Sequence, residues 1–103
     1  MKVAIPLDGD KISLHFGRCS KFALFEIESN KIISKEIVDV PHHKEGSFPQ
    51  FLKDKGADVV IASGIGRKAL DFFSQLSIRV IPGIEGEIDK VIEKFLKGEL
   101  KGG

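Results

Sequence analysis

Short unbroken apolar runs alternate along this chain with segments whose apolar residues recur every third or fourth position, and the switch between the two periods sets out its elements. Val3-Ala4-Ile5-Pro6 reads as a buried strand, and a polar loop follows from Leu7 to Lys21. Two β-rich runs come next, Phe22–Glu28 and Lys31–Val40, with only Ser29-Asn30 between them. Two turn-forming residues in that position predict a hairpin, since asparagine tolerates positive φ. After Pro41-His42-His43-Lys44-Glu45-Gly46, Ser47 is a candidate N-cap, Pro49 lies in the first turn, and Phe48, Phe51 and Leu52 fall at i, i+3 and i+4. This short helix is expected to stop at Gly56. Val59-Val60-Ile61-Ala62 has the uninterrupted character of a strand covered on both faces, and Ser63-Gly64-Ile65-Gly66 leads from it into a helix carrying Ala69, Leu70, Phe73 and Leu76. Ile78–Ile81 repeats the buried-strand pattern. A last helix aligns Ile88, Val91, Ile92, Phe95 and Leu96 on one stripe, with acids at Glu85, Glu87 and Asp89 near its start and Lys94 and Lys97 before Gly98, as the helix dipole favours.

The predicted order, strand, hairpin, helix, strand, helix, strand, helix, is that of an α/β domain with a mixed five-stranded sheet flanked by three helices. The first three strands, joined by a loop and a tight hairpin, are expected to be antiparallel neighbours; helical crossovers make the last two parallel to the strand before them. Strands 1, 3, 4 and 5 then share a direction, and the loops leaving their C-terminal ends gather on one edge. Those loops hold His15 and Cys19, then His42 and His43, then Gly64 and Gly66, then Gly83 and Gly86. Ligands of open α/β sheets bind outside the carboxyl ends of parallel strands.

Composition narrows the field. The 103 residues, 42% hydrophobic and 30% charged, fit one domain spanning 1–103. Sixteen basic and fifteen acidic side chains are interspersed, so the chain lacks the basic stripe that nucleic acid or an anionic membrane selects. No window approaches the roughly 18 apolar residues of a membrane span, and the N-terminus turns polar too early for a signal peptide. The single cysteine rules out an intrachain disulfide and agrees with a reducing compartment. A cytoplasmic protein is expected.

The densest chemistry lies in Ser13-Leu14-His15-Phe16-Gly17-Arg18-Cys19. Imidazole and thiolate are ligands of soft and borderline metals, and Arg18 with the Gly17 amide could meet an anion beside them. Cys19 serves equally well as a small core filler. His42 and His43 add two imidazoles, of which at most one can point to a shared site, because neighbouring extended residues face opposite sides. The CxxC spacing of a closed zinc site is missing, which leaves an open site or a preformed metal–sulfur cluster. Gly64-Ile65-Gly66 at a strand-to-helix junction could aim free amides at an anion, and Arg67 and Lys68 in the next turn hint at one, although no Walker or dinucleotide pattern is present. Asp8 has no partner carboxylates for two divalent ions, and no nucleophile has an identifiable triad, so catalysis is not expected.

Met1-Lys2-Val3-Ala4-Ile5-Pro6, His15-Phe16-Gly17-Arg18, Phe22, Gly64-Ile65-Gly66 with Ala69-Leu70, and the closing helix before Gly98-Glu99-Leu100 together resemble the dinitrogenase iron–molybdenum cofactor biosynthesis family. This is the small domain of NifX-type proteins, found also at the end of some NifB proteins. The resemblance implies a ribonuclease-H-like fold with strand order 3-2-1-4-5, and carriage of an iron–sulfur or molybdenum–iron–sulfur cluster, or its precursor, rather than catalysis. The motif positions it carries over are His15, Phe16, Gly17 and Arg18, with Gly64 and Gly66 as the glycine turn; Cys19 rests on its chemistry alone. The expectation is a carrier or scaffold with His15 and Cys19 as metal ligands, His42 or His43 auxiliary, and Phe16, Gly17, Arg18, Gly64, Ile65 and Gly66 around the cluster. Its partners would be cluster donor or acceptor proteins, and it would be a monomer or weak homodimer. The alternative is a small-molecule or nucleotide-phosphate binding module.

Overall fold

The computed structural model describes residues 1–16, 19–40 and 47–100. Along them run β1 (Lys2–Asp8), β2 (Lys11–Ile12), β3 (Lys21–Glu28), β4 (Lys31–Asp39), α1 (Ser47–Asp54), β5 (Val59–Ile61), α2 (Arg67–Gln75), β6 (Arg79–Ile81) and α3 (Ile88–Leu96). The hairpin forms where Ser29 and Asn30 predict it, both at positive φ, 50° and 60°. The first helix ends before Gly56, which takes up φ +86°, a conformation that glycine reaches without steric penalty.

The sheet has six strands rather than five, and its order is β4-β3-β1-β5-β6 with β2 paired to β1 off that path; the additional strand changes the chain-order numbering from 3-2-1-4-5 to 4-3-1-5-6, while the five longer strands lie in the expected sequence. The difference comes from Lys11–Ile12, inside the segment expected to be loop. These two residues fold back on β1 with Leu7 opposite Ile12 and Asp8 opposite Lys11. Two residues are too few to show a period, so their pairing is invisible in the pattern. β1 and β3 are antiparallel, as are β3 and β4; β1, β5 and β6 run parallel.

Pro6 lies inside the central strand, where a missing N–H normally excludes proline. Backbone N and C=O of one strand residue point to the same side, and the Pro6 carbonyl accepts from the Ser13 N–H at 2.9 Å. The absent donor therefore faces the place where the neighbour of β1 changes from β5, last paired at Ala4–Val60, to β2, first paired at Leu7–Ile12.

Alternation along the strands divides the core in two. Val3, Ile5, Leu7, Ala23, Phe25, Ile27, Val59 and Ile61 turn to the face covered by Ile88, Val91 and Ile92 of α3. Ala4, Phe22, Leu24 and Val60 turn to the other, where Phe48 and Leu52 of α1 and Phe73 of α2 pack. Burying each of the larger side chains stabilises the fold by about 2 kcal/mol. β4 is one of the two edge strands, opposite β6, and is exposed almost throughout. Among the described residues no helix is long and apolar enough to cross a membrane.

Candidate functional site

The C-terminal ends of β1, β4, β5 and β6 lie along one sheet edge, because β4 is twice antiparallel to β1 and so shares its direction. After β2 the chain crosses the end of β5 and forms a parallel bridge between His15 and Gly64. Two backbone hydrogen bonds fasten the crossing: Phe16 N–H donates to the Gly64 carbonyl at 2.9 Å, and Gly64 N–H donates to the Leu14 carbonyl at 3.1 Å. The approach is so close that a Cβ on residue 64 would sit 2.5 Å from the Leu14 oxygen. Glycine is needed here for the protein's own loop, and the Gly64 amide expected to cradle an anion is already engaged.

On either side of His15 the chain is held down. Ser13 is buried; its hydroxyl donates to the His15 carbonyl at 3.1 Å and accepts the His15 N–H at 3.4 Å. The Phe16 ring enters the core between Phe22, Phe48 and Phe73, with centroid separations of 5.7, 5.7 and 5.4 Å. Edge-to-face and tilted arrangements of this kind suit the aromatic quadrupoles. Between these two anchors the His15 side chain is exposed, at the rim of an open cleft of about 590 Å³ lined by Asp8, Asp10, Ser13, His15, Cys19 and Lys21 among others. Ser13, with no role expected from the sequence, fixes the backbone of His15. A serine two residues before a histidine in a polar loop is the signal, because serine readily bonds to nearby backbone.

Cys19 borders the cleft but belongs chemically to the core. It is 6% exposed, and its Sγ–H donates to the Phe16 carbonyl at 3.3 Å. Burial pushes the thiol up from its ordinary 9.0 to about 12. A metal ligand must be thiolate, so ligation here would have to displace a buried proton that closes the turn from Phe16. Alkylation at pH 8 is therefore expected to be far slower in the folded protein than after denaturation, as mass spectrometry of iodoacetamide-treated samples would show. The same shift gives a stability signature. Below pH 9.0 both states keep the proton; above it the unfolded chain releases a proton that the folded chain holds up to about 12. Stability is thus expected to fall as pH rises through that window, by up to about 1.4 kcal/mol per pH unit from this group, a component of the slope that Cys19→Ala removes in denaturant titrations.

Gly66 caps α2 with extended backbone and open space around it. Ile65 is half-buried against the aromatic core, and Arg67 and Lys68 are exposed in the first turn of α2. Gly17, Arg18, His42 and His43 lie outside the described residues. Among the residues described, no three or more His, Cys, Asp or Glu side chains gather to hold a metal ion.

Fold and site together define a mixed α/β domain whose His15 loop crosses the C-terminal edge of its sheet. The chain belongs to the dinitrogenase iron–molybdenum cofactor family, whose pattern matches residues 1–98. It is similar to the uncharacterized protein MJ0580 of Methanocaldococcus jannaschii, with 37% identity covering 98% of this chain and 90% of that one. Among solved structures, PH0822 is 42% identical and superposes with a TM-score of 0.94 over 98% of this chain and 93% of its own. MJ0327 of Methanocaldococcus jannaschii is 30% identical, with a TM-score of 0.80 over 98% and 92%.

Proposed function

We propose that this protein binds an iron–sulfur or molybdenum–iron–sulfur cluster, or its precursor, as cargo at the C-terminal edge of the sheet and carries it between donor and acceptor proteins in the cytoplasm. In this reading the scaffold is ribonuclease-H-like and does no catalysis. The observation that carries the proposal is the exposed His15, held between the Gly64 crossing and the buried Phe16 ring above an open cleft. Family membership supports it.

A preformed cluster brings its own sulfides, so it needs few protein ligands, and one imidazole on a rigid backbone can anchor it while leaving it transferable. Asp8 and Asp10 in the lining oppose an anionic cargo, and the cations that would offset its charge are Lys21, which also lines the cleft and pairs with Asp39, and Arg18. His42 or His43 would add a second imidazole. Cys19 would contribute by packing, not ligation.

Anaerobic incubation with ferrous iron and sulfide, or with tetrathiomolybdate, is expected to give a charge-transfer absorption band. His15→Ala should lose most of it and Cys19→Ala should keep it. A full band in His15→Ala, or none in the unaltered protein, would overturn the reading.

A further inference from the structure

β4 leaves one side of the sheet open. Its residues are exposed apart from half-buried Val38, and Ile37 retains 46% of its surface. Exposed edge strands are commonly guarded by a bulge or by an outward lysine. A bulge is present, where the register with β3 shifts at Glu26/Ile27, and it restricts the regular edge to Ser34–Asp39. The lysine is diverted: Lys35 Nζ reaches Asp89 of α3 at 3.1 Å and lies 5.8 Å from the centre of the Phe25 ring.

Within Ser34–Asp39 the direction of each backbone group follows from the ladder. Val40 N–H donates to the Ser20 carbonyl at 2.9 Å, so even-numbered residues turn their backbone groups to β3. Lys35, Ile37 and Asp39 turn theirs to the free side. Opposite them on β3 are Phe25, Ala23 and Lys21, which places all three side chains on the α3 face.

This short edge is complementary to itself. About a twofold axis through Ile37, perpendicular to the sheet, a second copy of β4 runs antiparallel with Ile37 against Ile37 and Lys35 against Asp39, twice. Shifting the axis to Glu36 or Lys35 sets like charges against each other, and shifting it to Val38 sets Ile37 against Asp39. Asp39 already pairs with Lys21 at 3.3 Å, so the favoured register joins Asp89, Lys35, Asp39 of the second copy and Lys21 of the second copy into a row of alternating charge on one face.

We propose that β4 is a homodimerisation edge, joining two sheets antiparallel through Lys35, Ile37 and Asp39. Cross-strand opposite charges and apolar pairs stabilise such ladders, while the few residues involved place the dimer among weak, concentration-dependent interfaces.

Sedimentation equilibrium tests this with two variants. Lys35→Glu makes both cross-strand charge pairs acid against acid, and Asp39→Lys makes both base against base, so each alone is expected to weaken self-association about tenfold. Mixed in equal amounts, the two variants set every acid against a base again, and association is expected to return to near that of the unaltered protein. Hydrogen exchange gives a second reading: raising protein concentration should protect the amides of Lys35, Ile37 and Asp39 and leave those of Glu36 and Val38, already bonded to β3, unchanged. An unaltered protein that stays monomeric, single variants that associate as it does, or a mixture that fails to recover would overturn the proposal.

Discussion

Phe16→Ala is expected to destabilise the protein by about 3–5 kcal/mol in urea unfolding, the largest effect of any single change in the candidate site. The ring is 5% exposed and meets three other phenylalanines, so truncation removes a full transfer contribution and leaves a cavity bounded by Phe22, Phe48 and Phe73. Those rings belong to β3, α1 and α2, and they cannot all close on the void without breaking register. Against a total stability of about 5–15 kcal/mol for a domain, the loss is severe. Amide exchange at Ser13 and His15 should accelerate in parallel, because the ring is one of the two anchors of their loop. A loss below about 1 kcal/mol would show that the ring is not a core member.

Gly64→Ala is expected to lose about 2–3 kcal/mol, whereas Gly66→Ala, at the N-cap of α2, loses no more than about 1 kcal/mol. A methyl on residue 64 falls 2.5 Å from the Leu14 oxygen, which is backbone and cannot swing aside. Relief requires the His15 loop to lift, weakening the two hydrogen bonds of the crossing, each contributing about 1 kcal/mol. Residue 66 has open space and φ −77°, so its methyl meets nothing. Comparing the two by urea titration separates close approach from the general effect of replacing glycine before a helix; equal losses would sink the account.

These two positions show how far the chain could be read unaided. The hairpin at Ser29-Asn30, the stripe of α3 and the buried strands are properties of neighbours in sequence, and periodicity finds them. The gathering of His15, Cys19 and Gly64 on one edge was legible as well, since it follows from strand direction. What each does there was not. Phe16 is a site residue through the motif His15-Phe16-Gly17-Arg18 that the family resemblance carries over, yet its ring packs against partners on three other elements. Gly64 looked like room for a ligand, and the room is filled by Leu14 from far along the chain. The sequence leaves Cys19 open between ligand and core filler, and its burial and its bond to Phe16 favour the filler. Lys11–Ile12 strengthened the same lesson: a strand of two residues exists only through its partner.

Pro6 gains a different meaning in this light. The ladder between β1 and β5 would next be extended, after Ala4, by an N–H on residue 6. Without that hydrogen the zipper between the two strands has a built-in stop, and the Pro6 carbonyl is left for Ser13 to claim. The gap above β5 is where the His15 loop enters. One imino acid in the middle of the sheet thus sets the height at which the protein opens to its surroundings, and does so by what it lacks.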